Sequence, residues 1–300
     1  MKFIKYNQLL KFSKNVLKKS GVNSFCAKYV SEGLCNASLR GTDSHGIKAI
    51  EKGCQIAKKN GICSIGVINS SHPGALASIA LHGVNKGYTV FAFTHADSLQ
   101  LTFGGRKPYF GTNPICFASP GPAKKPFCLD MATTNINWNK LLNYRRLAKK
   151  LLFGTAVDKN GKITTNPNVA ECLTSIGGYK GFGLAAMIEI LCSIFLGMRF
   201  GSNIPPMYKS SIKKPRKLGQ FYIVLRTDSF VSKKNFINNL GKMSKQIRKQ
   251  KTSKKKDKIY LPNDVEYKTE RKRNISGIPV DKDLFIKLKK MSEQFQIKLS

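Results

Sequence analysis

Between residues 49 and 94 the apolar pattern switches repeatedly between two periods, and that alternation constrains the fold more than any other feature of the chain. Residues 49 to 60 predict a short basic helix and Ile62 to Asn69 alternates as a strand. Ala75 to Lys86 predicts a helix that stops near Gly87, and Tyr88 to Thr94 a second strand. Helices and strands in that order must bury their apolar faces against one another, which is α/β layering. Upstream, Tyr6, Leu9, Leu10, Phe12, Val16 and Leu17 recur at helical spacing. After a break at Gly21 the pattern repeats from Phe25 to Ala37, with Asn23 or Ser24 as cap. Downstream the pattern predicts a strand at Phe221 to Leu225, a helix at Lys233 to Arg248 and an amphipathic helix at Lys282 to Glu293. Leu261 to Asp264 and Gly277 to Val280 read as turns. Phe103 to Asp130 is rich in Gly and Pro, so it is expected to wrap a site rather than fill a core. No linker interrupts the chain before the lysine-rich stretch 249 to 258, so residues 1–300 read as one interwoven unit.

Composition narrows the function classes. Three hundred residues that are 41% apolar can bury a substantial core. The longest apolar patch, Phe182 to Phe200, is broken by Gly183, Glu189, Ser193, Gly197 and Arg199, which argues against a membrane span. The N-terminus carries no secretory apolar region. Eight cysteines without CxxC spacing read as reduced core thiols, which favours a cytoplasmic location and implies no metal site. The formal charge of +36 concentrates at Lys209 to Arg216 and at 232 to 258 and will attract polyanions. With no zinc-finger, RNA-binding or zipper pattern present, a solvated lysine-rich surface is preferred to a nucleic-acid site.

The chain has only four histidines, His45, His72, His82 and His95, the side-chain type suited to proton transfer at neutral pH. Two stand in Gly- and Ser-rich loops, His45 in LRGTDSHG and His72 in NSSHPG, where polar groups tend to serve function. His82, within an apolar helix, reads as packed or surface-exposed. Gly177-Gly178-Tyr179-Lys180-Gly181 runs into a helix and could offer backbone amides and one lysine to an anion, although neither GxGxxG nor a phosphate loop is present.

These segments, with FGGRKPYFGTNP, LDMATT, AVDKNGKITTNP, GGYKGFGLAAMIEIL, LGQFYIV and LPNDVEYKTERKRNISGIPV, resemble in order the type-2 malate/L-lactate dehydrogenase family. That family also includes enzymes of ureidoglycolate, sulfolactate, diketogulonate and cyclic imino acids. The resemblance implies a mixed-sheet α/β fold distinct from the standard Rossmann fold. N-terminal helices would occupy 1–46, a cofactor-binding core about 61–230, and a segment returning to the core 231–300. It implies an NAD- or NADP-dependent oxidoreductase, acting as a homodimer, that moves hydride between the nicotinamide and C2 of a malate- or lactate-like 2-hydroxy or 2-oxo acid. Residue by residue, Ser44 and His45 are similar to the family's pair at the substrate carbonyl, and His72 to its acid/base histidine. Asp130, Met131, Ala132 and Thr133 resemble the cofactor-lining segment, and Lys180 and Gly181 the cofactor-contacting pair. Asn113 is expected to shape the same cleft, and Thr94 and Asp97 to bound the nicotinamide side.

The sequence also departs from that pattern. The interval from His45 to His72 is 27 positions, where several tens of residues normally separate the family's two motifs, and the segment carrying a substrate-binding arginine, which Lys48 does not replace, is expected to be absent between Ile47 and Ala49. Pro73, Asn166, Asn263 and Asp264 differ from the pattern, and residues 140–153 look altered. A shortened fold is expected, and the alternative function is an inactive or truncated relative that keeps the scaffold.

Overall fold

A computed structural model of the chain describes residues 2–24, 27, 28, 30–32, 35, 47–207, 210, 215–253 and 258–299. The elements are β1 (Lys2–Ile4), α1 (Tyr6–Lys19), α2 (Ile47–Asn60), β2 (Ile62–Ser70), α3 (Leu76–Asn85), β3 (Tyr88–Thr94), β4 (Gln100–Leu101), β5 (Pro108–Phe110), β6 (Ile115–Ser119), β7 (Phe127–Met131) and α4 (Trp138–Arg146). They continue with β8 (Ala156–Val157), β9 (Cys172–Leu173), α5 (Tyr179–Cys192), β10 (Leu218–Arg226), α6 (Lys233–Arg248), α7 (Asp264–Ser276), β11 (Ile278–Val280) and α8 (Lys282–Gln294).

The central sheet runs β2-β10-β3-β6-β7, with every neighbour antiparallel. One face receives α2 and α3, whose Ile50, Cys54, Leu76, Ile79 and Ala80 bury against Val90, Ala92, Cys116, Ala118, Tyr222 and Val224. The other face receives α5, where Ile188 and Cys192 meet Phe93 and Phe221. Covering on both faces explains why β3 and β10 are buried almost without a break, whereas β2, at the sheet edge, alternates and leaves Ile62 and Ile68 exposed. A smaller sheet, β5-β4-β9-β8, lies beside it, and β1 pairs with β11.

Three expectations are corrected. Ile278–Val280 is not a turn but a strand, which pairs with Lys2–Ile4. Residues 264–276 form a helix that has no apolar stripe to announce it; Asp264 and Glu266 complement its N-terminal dipole, and Gly277 ends it at φ +87°. The Gly/Pro-rich segment does not merely wrap a site: it supplies β6 and β7, and Cys116, Ala118 and Cys128 enter the core. Four of its five prolines, at 114, 120, 122 and 126, fall outside its strands, and Pro108 is the first residue of β5, an edge strand.

All seven described cysteines are free and buried, and burial pushes the Cys54 and Cys172 thiols up to about 11, which makes them poor nucleophiles. Among the described residues no helix is long and apolar enough to cross a membrane.

Candidate functional site

The His72 turn links the end of β2 to the start of α3 and is tied at both sides. Asn69 and Gly74 take positive φ, Pro73 is buried, and His72 is exposed. Before the histidine, Gln220 Nε2 donates to Ser70 Oγ at 2.6 Å and reaches Ser71 O at 3.4 Å. After it, Asp130 Oδ2 accepts the Ala77 amide of α3 at 2.8 Å, a carboxylate placed on the positive end of a helix. Asp130 thereby joins the histidine turn to the segment it opens, Asp130-Met131-Ala132-Thr133.

That segment is zipped to the start of α5. The Thr133 amide donates to Thr112 O at 3.0 Å, and the Ile176 amide donates to Thr133 O at 3.0 Å. Thr133 Oγ1 lies 3.1 Å from both Gln100 Oε1 and Thr112 O, and Gln100 Nε2 donates to Ser175 Oγ at 2.7 Å. The chain then passes through Gly177 and Gly178, at φ +56° and +62°, into α5. Lys180 is exposed, and exposed Phe103 and Tyr179 meet edge-on beside these glycines, ring centroids 6.1 Å apart. Gly181 has an internal reason to be glycine, since a Cβ would strike the Ile176 carbonyl. The amides expected to receive an anion are turned inward. That of Gly181 donates to Ile176 O at 2.9 Å and that of Lys180 to Gly177 O at 3.4 Å, leaving the lysine side chain as the outward group.

Beneath this surface lies a buried polar node that sequence reasoning missed. Glu189, 2% exposed in the middle of apolar α5, accepts Asn113 Nδ2 on Oε2 and the Gly201 amide on Oε1, each at 2.8 Å. Asn113, at φ +24°, also receives the Ala96 amide on Oδ1 and donates to Ala185 O. The Gly219 amide donates to His95 Nε2 at 2.8 Å, which assigns the proton of the neutral ring to Nδ1, 3.5 Å from Glu189 Oε1 and short of a hydrogen bond. Thr94 Oγ1 donates to Gly219 O at 3.2 Å, and the Asp97 carboxylate takes Arg216 and the Met207 amide. The available signal was a lone acid in the apolar run GFGLAAMIEILC, since a buried carboxylate demands donors.

The structure thus brings His72, Thr94, Asp97, Asn113, Asp130 to Thr133, Lys180 and Gly181 into one connected region. His72, Asp130 and Lys180 face outward, Met131 and Ala132 are half-buried, and Thr94, Asp97, Asn113, Thr133 and Gly181 are buried. Ser44 and His45 lie outside the described residues.

Comparison with known proteins gives a consistent result. The malate/L-lactate dehydrogenase profile matches residues 47–289. Ureidoglycolate dehydrogenase (NAD(+)) of Escherichia coli K12 is 30% identical over 257 residues, covering 84% of this chain and 73% of that protein. Among solved structures, the sulfolactate dehydrogenase of Methanocaldococcus jannaschii superposes with a TM-score of 0.88 at 26% identity, covering 99% of this chain and 98% of the other. The malate dehydrogenase of Entamoeba histolytica superposes with a TM-score of 0.92 at 22% identity over 99% of each chain, a likeness of fold. The chain belongs to the malate/L-lactate dehydrogenase family, a family of NAD(P)-linked oxidoreductases.

Proposed function

We propose that this protein exchanges hydride between NAD or NADP and C2 of a malate- or lactate-like 2-hydroxy or 2-oxo acid. The observation that carries the reading is His72, exposed on a turn that Gln220 and Asp130 pin from either side and joined through Asp130 to the strip leading to Lys180. The residues present fit a dinucleotide. Lys180 offers an outward cation for phosphate, Gly177 and Gly178 leave the backbone uncovered, and Met131 and Ala132 line the strip between. When bound, the nicotinamide supplies the hydride donor or acceptor.

His72 takes the proton from the substrate hydroxyl during oxidation and returns it during reduction, a role for which imidazole is the commonest side chain. Ser44 and His45 hold the same oxygen. Thr94, Asp97, Asn113, Thr133 and Gly181, being buried, shape the cofactor side by positioning backbone rather than by exposing side chains.

The protein acts as a homodimer in the cytoplasm. Support for the dimer comes from α5, which is apolar all round but packs on the sheet with one face only. Met187 and Ile190 stay exposed, next to Ile194 and Phe195 in the chain. Light scattering should return twice the chain mass. A second reading, a shortened relative without turnover, draws support from α2, which begins at Ile47 directly after the Ser44-His45-Gly46 motif, leaving one helix and one strand before the His72 turn.

The test is NADH and NADPH oxidation against a panel of 2-oxo acids. His72→Ala should lower kcat by about 100-fold or more while circular dichroism is unchanged. Turnover that survives this substitution rejects the assignment of His72, and a folded wild type that binds cofactor but never turns over favours the second reading.

A further inference from the structure

The start of β10 carries an irregularity whose geometry is directed at the His72 turn. Its register against β2 shifts between Leu218 and Gln220, a bulge of the kind that re-aims a side chain. Gly219 at the bulge has no room for a side chain, because a Cβ would strike the Cys192 carbonyl of α5. Both its backbone polar groups are taken by neighbouring residues of one segment, the amide by His95 Nε2 at 2.8 Å and the carbonyl by Thr94 Oγ1 at 3.2 Å. Glu189 stands behind His95. The bulge is therefore fixed from the α5 side by groups that are all buried.

What the bulge presents to the other side is the Gln220 side chain, 3% exposed. A glutamine amide can sit either way round, and here the Ser71 carbonyl, which can only accept, sets Nε2 toward the turn. Oε1 on the opposite side accepts from the buried Tyr222 hydroxyl, which holds the amide in place. Nε2 is left facing Ser70 Oγ and Ser71 O, immediately before His72. A single side chain thus transmits the position of a rigid buried bulge to the residues that set the direction of the histidine.

We propose that Gln220, held at Oε1 by Tyr222, is a positioning residue for His72, a role that rests on the acid/base reading of that histidine. The alternative is that Gln220 only closes the end of β2, in which case its loss would alter stability and leave the histidine unchanged.

The experiment compares Gln220→Leu and Tyr222→Phe with wild type by steady-state kinetics and by NMR titration of the His72 ring, whose signal is identified by its absence from His72→Ala. Gln220→Leu should lower kcat about 10- to 100-fold, the scale of a displaced catalytic group. The KM for the nicotinamide cofactor should stay within about twofold, since nothing that binds it is touched. The titration curve of the His72 ring should move in the same protein, and Tyr222→Phe should give a smaller change in the same direction. If Gln220→Leu does not fold, Tyr222→Phe decides by the same readouts. A kcat within about twofold of wild type together with a superimposable His72 titration overturns the proposal. Should His72→Ala itself retain turnover, the acid/base reading fails, and the ring titration alone still decides whether Gln220 sets the imidazole.

Discussion

Glu189 and Asp264 each gather segments that are far apart in sequence, and they do so with opposite chemistry. Glu189 is buried in α5 and is met by uncharged donors, the Asn113 amide and the Gly201 backbone, with the His95 ring beside it. Asp264 begins α7 nearer the surface and is met by cations, Lys125 Nζ at 2.7 Å and Arg248 Nη2 at 2.9 Å, together with the Leu261 amide at 2.9 Å. Asn263, in the left-handed conformation at φ +79°, adds a bond from Nδ2 to Pro126 O. The first carboxylate fixes the geometry of the candidate site, and the second straps the basic C-terminal helices to the turn between β6 and β7. Uncharged donors in a closed interior are indifferent to salt, while cations 36% and 39% exposed are screened by it.

The largest expected effect is on the buried node. Glu189→Leu leaves the Gly201 amide without its acceptor, takes one of the two acceptors from Asn113 Nδ2 and removes the carboxylate beside His95, and should cost about 3 to 5 kcal/mol in chemical denaturation. A loss below about 1 kcal/mol would mean that the site is not held from α5 as described.

Asp264→Asn should cost less, about 1 to 2 kcal/mol at neutral pH, because both cations can return to water. Burial pushes the Asp264 carboxyl up, but Lys125, the Leu261 amide and Arg248 outweigh it and hold the group at about 2. A group depressed in the folded state stabilises above its unfolded value, near 3.9 for a free aspartate, and loses that contribution as pH falls toward 2. Thermal melts between pH 5 and 2 should therefore show a steeper decline in wild type than in Asp264→Asn. Parallel curves would remove the ion pairs from the account. The smallest effect is that of salt. Raising sodium chloride to about 1 M should weaken the docking of α6 and α7 by less than about 1 kcal/mol, read as faster amide exchange there, with no change around Glu189.

Periodicity carried the fold where a side chain's only task is to be buried. The ends of β3 and α6 coincide with the expected ones, and α3, β2 and α8 differ by a residue or two. It failed where polar groups do the organising. Helix α7 is held by the ion pairs of Asp264 in its first turn and has no apolar stripe, and β11 exists because it meets a strand at the opposite end of the chain. The site divided in the same way. His72, Asp130 and Lys180 could be named from their motifs, since they face outward and their chemistry is local. His95, Gln100 and Gln220 act through partners tens of residues away, so nothing in their own neighbourhoods discloses them, and Glu189 shows only as a lone acid in an apolar run. Gly181 shows the converse: its motif singles the residue out, and its want of a side chain answers to the Ile176 carbonyl.

The pairing of Lys2–Ile4 with Ile278–Val280 also sets an order of events in folding. The central sheet requires nothing beyond Arg226, so it can form while later residues are still being synthesised. The first strand must wait for the last, and joining the two closes a loop that spans almost the whole chain, a slow and entropically late step. Lys5 Nζ on Ile275 O and Lys19 Nζ on Phe295 O fasten the same seam, which makes it the final part of the protein to close and the first from which it opens.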